Sequence, residues 1–192
     1  MINIAREFLQ DLQNRICEAL EQLDGQQEFS RRPKPTASSG LSDPRVLAGS
    51  GPIEKAAVNF SHSVGNSLPS AVSDTKRDIA GQPFEAASLS LIIHPSNPFV
   101  PTTHMNLRLF VVKTERAQWH FGGGYDLTPT YGFVEDSIYW HLGAQKSAGA
   151  HYEDMKKKCD EYFYLPHRDE QRGIGGLFFD GGNFCIISDP CK

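Results

Sequence analysis

The sequence has no surplus of charge that would suit a nucleic acid. Nineteen Lys and Arg side chains stand against 23 Asp and Glu side chains, which gives a formal net charge of −4 at pH 7. Nucleic-acid-binding domains usually carry a basic face, so this balance gives no support to such a partner. An anionic ligand would have to be held by a local cluster of basic side chains. The length of 192 residues allows one domain with a full core.

Paired cysteine motifs and long apolar runs are also missing. No Cys-x-x-Cys spacing occurs, which predicts reduced thiols and argues against a zinc site. The chain opens on the pattern of an acidic amphipathic helix, without the apolar core of a signal peptide or the Arg- and Ser-rich composition of a transit segment. No stretch is apolar enough to cross a membrane. We therefore expect a cytoplasmic protein with no membrane span. The four cysteines are Cys17, Cys159, Cys185 and Cys191.

Common nucleotide and metal motifs are absent as well. The glycine run Gly122-Gly123-Gly124 is not followed by Lys-Ser/Thr and does not match GxGxxG, so a phosphate loop is excluded. Neither His-x-His nor His-Glu-x-x-His occurs, and no signature of two histidines and one carboxylate is visible. A metal site would have to be assembled by the tertiary structure from distant histidines.

The hydrophobic pattern predicts strands and helices in separate runs, which favours an α+β fold with a largely antiparallel sheet. Residues 25–52 are rich in Gly, Pro and Ser and predict a flexible linker or loop. Residues 61–83 look irregular. The predicted helices are 3–23, 135–148 and 152–164, and the predicted strands are 57–60, 87–94, 104–113, 118–122 and 173–180.

A row of polar residues in one predicted strand is the main candidate site. Side chains alternate between the two faces of a strand, so His104, Asn106 and Arg108 share one face. Apolar residues occupy the other face. A proton-transfer group, an amide and a permanent cation in one row suit an anion held beside an acid or base. In the preceding predicted strand, Ser90 and His94 likewise share one face.

Other candidates each have two interpretations. Asp126 is either an acid/base or a turn residue, and the glycines before it allow close approach either of a large ligand or of another segment. Arg168 and Arg172 are either carboxylate clamps or members of a self-paired surface charge run. The sequence leaves His141 open, while the loop position of His167 would let it face a cleft.

Several strings in the same order resemble oxygen-dependent coproporphyrinogen III oxidases. The similarity spans about residues 46–180. It lies in Val58-Asn59-Phe60-Ser61-His62, in the segment from His94-Pro to Asn106-x-Arg108, in Trp119-x-Phe-Gly-Gly-Gly-x-Asp126-Leu-Thr-Pro, in Cys159-Asp-x-Tyr-Phe, and in His167-Arg168-x-Glu-x-Arg172-Gly-Ile-Gly-Gly-x-Phe-Phe-Asp180.

The resemblance implies a reaction and a fold. Members of this family convert two propionates of coproporphyrinogen III to vinyls, which gives protoporphyrinogen IX in haem biosynthesis. Molecular oxygen is the oxidant, and flavin, NAD and haem are not needed. The implied fold is a flat antiparallel sheet with helices on both faces, and family members are homodimers.

Residue roles follow from the resemblance position by position. His104 would donate a proton, and Asp126 would act as base or accept pyrrole N–H groups. Ser90, together with Asn106, Leu107 and Arg108, would bind substrate. The histidines that match proposed divalent-metal ligands of bacterial members are His94, His104, His141 and His167.

Two departures from the family pattern stand out. His120 replaces a second tryptophan, and the sequence diverges after Asp180. We therefore expect residues 1–24 to form a helix, 25–52 a linker, 53–180 a partial family domain and 181–192 a divergent tail, with the sheet incomplete at a truncated C-terminus. The alternatives to an active oxidase are an inactive member that at most binds porphyrinogen, and an unrelated metal-dependent oxygenase.

Overall fold

The chain begins with a long amphipathic helix, α1 (Ile2–Asp24), as its apolar spacing predicted. The helix ends where Gly25 adopts a φ of 69°, a left-handed conformation that glycine adopts without strain. The Asp24 carboxylate then accepts the backbone N–H groups of Gln27 and Ile53, at 3.0 and 3.1 Å. These bonds attach the end of the helix to the sheet. The computed structural model describes residues 2–36, 40–67, 81–114 and 118–182.

One antiparallel sheet organises the molecule and confirms the predicted α+β class. Its strand order is β1-β3-β4-β5-β6-β7-β10, with β2 also paired to β3. A separate two-stranded ribbon consists of β8 and β9. The strands are β1 (Ser30–Arg31), β2 (Lys34–Thr36), β3 (Gly40–Ala48), β4 (Ile53–Gly65), β5 (Phe84–Pro95), β6 (Thr102–Val112), β7 (Gln118–Thr128), β8 (Tyr164–Leu165), β9 (Glu170–Gln171) and β10 (Gly175–Gly182).

The prediction of a flexible linker over residues 25–52 is wrong, because this region contains β1, β2 and β3. Strand β3 pairs with β4 from Leu41↔His62 to Ala48↔Lys55. The side chain of Leu47 is fully buried. The Gln13 amide of α1 donates to the carbonyl oxygen of Asp43 at 2.8 Å, which fixes the helix to this strand. Partners distant in sequence thus order a segment whose own composition is poor in apolar residues.

Other boundaries differ less. Strand β4 extends the predicted 57–60 segment at both ends and includes 61–65 of the region expected to be irregular, whereas 68–80 lie outside the described residues. Strand β7 continues through the glycines to Thr128. The predicted helices are confirmed as α2 (Val134–Ala148) and α3 (Tyr152–Phe163), which a 3-10 turn joins. Of the predicted tail, 183–192 lie outside the described residues.

The core lies mainly on one face of the sheet. There α1 packs on apolar side chains of β4 and β5, and a fully buried leucine such as Leu89 contributes about 2 kcal/mol relative to an exposed one. A second cluster joins Ala144 of α2 and Met155 of α3 to Leu177 of β10. Leu107 of β6 packs against both clusters. The opposite face of β6 carries the polar side chains His104, Asn106 and Arg108, and towards the end of the strand the apolar Phe110 and Val112.

Helix α3 runs beside β10 and contacts side chains of both faces. Met155 packs in the same cluster as Leu177, while the ring of Tyr162 stacks on Phe178, with centroids 4.3 Å apart. Because Leu177 and Phe178 are adjacent in a strand, their side chains point to opposite faces. Within the four described ranges, no helix is long and apolar enough to span a membrane.

Candidate active site

The row predicted on β6 exists, and each member has a neighbour on β7. The register pairs His104 with Asp126, while Asn106 and Arg108 each face a glycine. On the other side of the row, Asn106 pairs with Ser90 of β5. Because paired residues point to the same face, these side chains form one polar surface opposite the main core.

His104 and Asp126 form the most defined contact in this surface. The imidazole Nδ1 lies 2.9 Å from the Asp126 Oδ1. The carboxylate is almost completely buried, with 1% of its side chain exposed, while 36% of the imidazole is exposed. A carboxylate accepts, so Nδ1–H donates and Nε2 remains for exchange with solvent or a ligand. Asp126 lies inside β7, so its interpretation as a turn residue is wrong.

Arg172 provides the second partner of the buried carboxylate. Its Nη2 and Nε donate to the Asp126 Oδ2 at 2.8 and 3.2 Å. The guanidinium also lies over the Phe163 ring, 3.9 Å from the centroid. The rings of Phe163 and His104 are nearly perpendicular, with centroids 6.2 Å apart. Arg172, predicted as a clamp for a ligand carboxylate, thus holds a carboxylate of the protein itself.

Arg108 crosses a neighbouring strand to reach its partner. Its Nη2 lies 3.1 Å from the Asp180 Oδ1, and both side chains are partly exposed. Between them, on β7, is Gly122. A Cβ atom at this position would lie 2.8 Å from the Arg108 Nε and from the Asp180 Oδ1. The glycine run therefore permits close approach of neighbouring side chains, which is one of the two interpretations that the sequence left open.

The remaining predicted substrate-binding residues occupy different environments. The Oδ1 of Asn106 is buried and has no hydrogen-bond partner within the described part of the chain. Ser90 is half-buried on the same surface. Leu107 points to the core, so its side chain is not part of this surface. Arg168 pairs with Glu170 at the exposed turn between β8 and β9, in agreement with the surface charge interpretation.

The four histidines predicted as metal ligands are not brought together in one cluster. His94 Nδ1 lies 3.3 Å from the Thr102 hydroxyl. His141 uses both ring nitrogens, Nε2 at 2.9 Å from the Ile174 carbonyl and Nδ1 at 3.0 Å from the Tyr152 hydroxyl. His167 is exposed in the turn after β8. Over the described ranges, no three His, Cys, Asp or Glu side chains are grouped so that they could hold a metal ion.

Three residues beside the row were missed by the sequence analysis. Phe163 and Asp180 contact Arg172 and Arg108, and Cys159 lies buried behind the carboxylate. Burial, and secondly the charge of Asp126, raises the pKa of the Cys159 thiol to about 12. The glycines at alternate positions of β7 were the available signal, because they imply that larger side chains cover that strand.

A cavity of about 570 Å³ lies away from the row, between α2 and the connection from β5 to β6. Its walls are mostly aromatic and apolar, and Glu135 and Asp136 lie at its rim. None of the residues that form the polar row of β6 lines this cavity.

One comparison with known proteins identifies the family. The family model described as coproporphyrinogen III oxidase matches residues 4–187 of the 192. The matched region includes the polar row of β6, the buried Asp126 and the arginines around them, and it also includes strands β1 to β3. The chain belongs to the coproporphyrinogen III oxidase family.

Proposed function

We propose that this chain catalyses the oxygen-dependent oxidative decarboxylation of two propionates of coproporphyrinogen III, which gives protoporphyrinogen IX in haem biosynthesis. Family membership supports a coproporphyrinogen oxidase function. For each propionate, one O2 and one proton are consumed, a vinyl group forms, and CO2 and H2O2 leave.

The proposal rests mainly on the hydrogen bonds that join His104 and Arg172 to the carboxylate of Asp126. The buried carboxylate fixes the imidazole through Nδ1 and is itself held by the guanidinium. Nε2 of this partly exposed ring is then the atom that exchanges a proton with the substrate. Imidazole ordinarily titrates close to neutral pH, so it can act as acid or base.

Arg108 is proposed to bind a propionate of the substrate. A guanidinium presents several N–H groups in a plane that matches a carboxylate. It lies on the same face as His104, four residues further along β6, which is about 14 Å along an extended strand. This separation suits a large substrate that meets the acid/base at one position and the cation at another. Asn106 lies between them, and its buried Oδ1 has no hydrogen-bond partner among the described residues.

Molecular oxygen is the proposed co-substrate, without flavin, NAD or haem. A divalent metal held by His94, His104, His141 and His167 stays a prediction. The geometry does not favour it, because His141 already uses both ring nitrogens. Homodimeric assembly and a cytoplasmic location complete the proposal as expectations from the resemblance.

Incubation of the purified chain with coproporphyrinogen III in air tests the proposal. Chromatography of the oxidised products should show the tricarboxylic intermediate and protoporphyrin, and both should be missing under argon. Absence of both products at a high ratio of protein to substrate would contradict the oxidase activity. Coproporphyrin binding without turnover would favour the inactive binding protein instead.

A further inference from the structure

We propose that Asp180 is a positioning residue that holds the guanidinium of Arg108 over Gly122. The proposal rests on the proposed function, because it assigns a purpose to the contact that Arg108 makes. Asp180 acts through Arg108 and need not touch the substrate.

The register places the two charged residues on opposite sides of one glycine. Arg108 pairs with Gly122 across the β6–β7 ladder, and Gly122 pairs with Asp180 across the β7–β10 ladder. Neighbouring strands are about 4.8 Å apart, so the two residues are about 10 Å apart at the backbone. The Arg108 Nη2 nevertheless lies 3.1 Å from the Asp180 Oδ1, so both side chains must extend across β7 towards each other.

The missing side chain at Gly122 makes this arrangement possible. Its ideal Cβ position lies 2.8 Å from the Arg108 Nε, closer than real Cβ contacts come, and 3.1 Å from Nη2, which is tighter than most of them. The guanidinium therefore occupies the space that a side chain on β7 would fill. A long arginine side chain on an open sheet surface has many rotamers, and the carboxylate of Asp180 selects the one that lies across the strand.

The ion pair leaves Arg108 able to bind a ligand. Asp180 engages Nη2, so the other N–H groups of the guanidinium have no partner among the described residues. A substrate carboxylate can approach these groups while Asp180 keeps the plane of the guanidinium fixed. The distance from Arg108 to His104 is then set before the substrate arrives. Preorganised positioning of this kind raises the rate of the chemical step more than it raises affinity.

Two variants test the proposal by independent means. Asp180→Asn removes the charge, and Gly122→Ala keeps every charge but fills the space under the guanidinium. Both should lower kcat by about tenfold or more, without raising KM, because the cation that attracts the substrate is still present. Asp180→Glu should recover part of the loss. The matched controls Asp154→Asn and Gly143→Ala alter an exposed ion pair and a glycine with open space, and they should leave kcat unchanged.

A second measurement does not depend on turnover. The heteronuclear NOE of the Arg108 Nε–Hε group, assigned by its loss in Arg108→Lys, should indicate an ordered side chain in the wild-type protein and a mobile one in Asp180→Asn and Gly122→Ala. A mobile Arg108 in the wild type, or unchanged order in both variants, would overturn the positioning role. Unchanged kcat in both variants, or a rise in KM alone, would do the same. A third outcome separates the two proposals. If the Arg108 side chain is ordered in the wild type and mobile in both variants, but the wild type shows no turnover, the positioning role is supported and the proposed function is refuted.

Discussion

His104 on β6 and Asp126 on β7 face each other across the sheet, and the imidazole Nδ1 lies 2.9 Å from the carboxylate Oδ1. The carboxylate is buried and the imidazole is partly exposed. The buried partner therefore fixes the orientation and tautomer of the ring, and the exposed side of the ring is available for chemistry.

Replacement of His104 by alanine should abolish turnover while the fold is retained. General acid–base catalysis typically contributes about 10²- to 10⁴-fold, so kcat should fall by at least about 10². Product formation from coproporphyrinogen and circular dichroism measure the two effects. His151→Ala, at an exposed histidine in the 3-10 turn, is the matched control. A His104→Ala variant with wild-type kcat would refute the proton-transfer role.

Replacement of Asp126 by asparagine should destabilise the fold as well as lower activity. In the wild type, each carboxylate oxygen of Asp126 accepts from one donor, His104 or Arg172. An asparagine has only one oxygen, so its NH2 group would face one of these donors and leave it without an acceptor. We expect the free energy of unfolding to fall by about 2 kcal/mol, the usual cost of an unsatisfied buried polar group. Urea unfolding followed by circular dichroism would measure it. An unchanged midpoint and slope would show that the buried carboxylate is not needed for stability.

Replacement of Arg108 by lysine should impair the enzyme although the charge is conserved. A lysine ammonium cannot offer the planar fork of donors, and it cannot bind a carboxylate while it also contacts Asp180 in the same plane. We expect kcat/KM to fall by about tenfold, with KM raised, as measured by initial rates at saturating oxygen. A wild-type KM would show that Arg108 does not bind the propionate.

Alanine at Gly124 and at Gly143 should change stability in opposite directions. A Cβ at Gly124 would overlap the Leu177 carbonyl oxygen, a backbone atom that cannot move without disturbing β10. We expect Gly124→Ala to cost about 1–3 kcal/mol. Gly143 lies within α2 with open space around it, so Gly143→Ala should stabilise by up to about 1 kcal/mol. Thermal unfolding of both variants measures this; equal shifts would contradict the described packing of β7 against β10.

Acidification should weaken the fold partly through Glu85. Burial alone would raise its pKa, but hydrogen bonds with His62 and Lys113 outweigh burial and hold the pKa below its ordinary value of 4.5. A carboxyl with a depressed folded-state pKa contributes stability that is present above pH 4.5 and is lost as pH falls through the folded-state pKa. Between pH 6 and pH 3 the wild type should therefore lose more free energy of unfolding than Glu85→Gln. Equal losses in urea titrations would contradict this.

The sequence predicted regular elements with strong local patterns and failed where order depends on distant partners. The periodic apolar residues of α1 and the alternation in β6 identified both elements correctly. Strand β3 was missed because it lies in a segment rich in Gly, Pro and Ser and depends on pairing with β4 and on a hydrogen bond from Gln13 of α1. Tertiary contacts of this kind override local composition.

The sequence by itself determined which side chains share the face of β6 with His104, because the alternation of a strand is a property of the local backbone. The tertiary structure alone decided what each of them contacts. Arg172 and Asp126 are 46 residues apart, and only the return of the chain through α3 to the edge of the sheet brings them together. Likewise, only the pairing of β10 with β7 places Asp180 where it can reach Arg108 across Gly122. The contacts of these side chains depend on the order and register of the strands, and both are determined by segments that are distant in sequence.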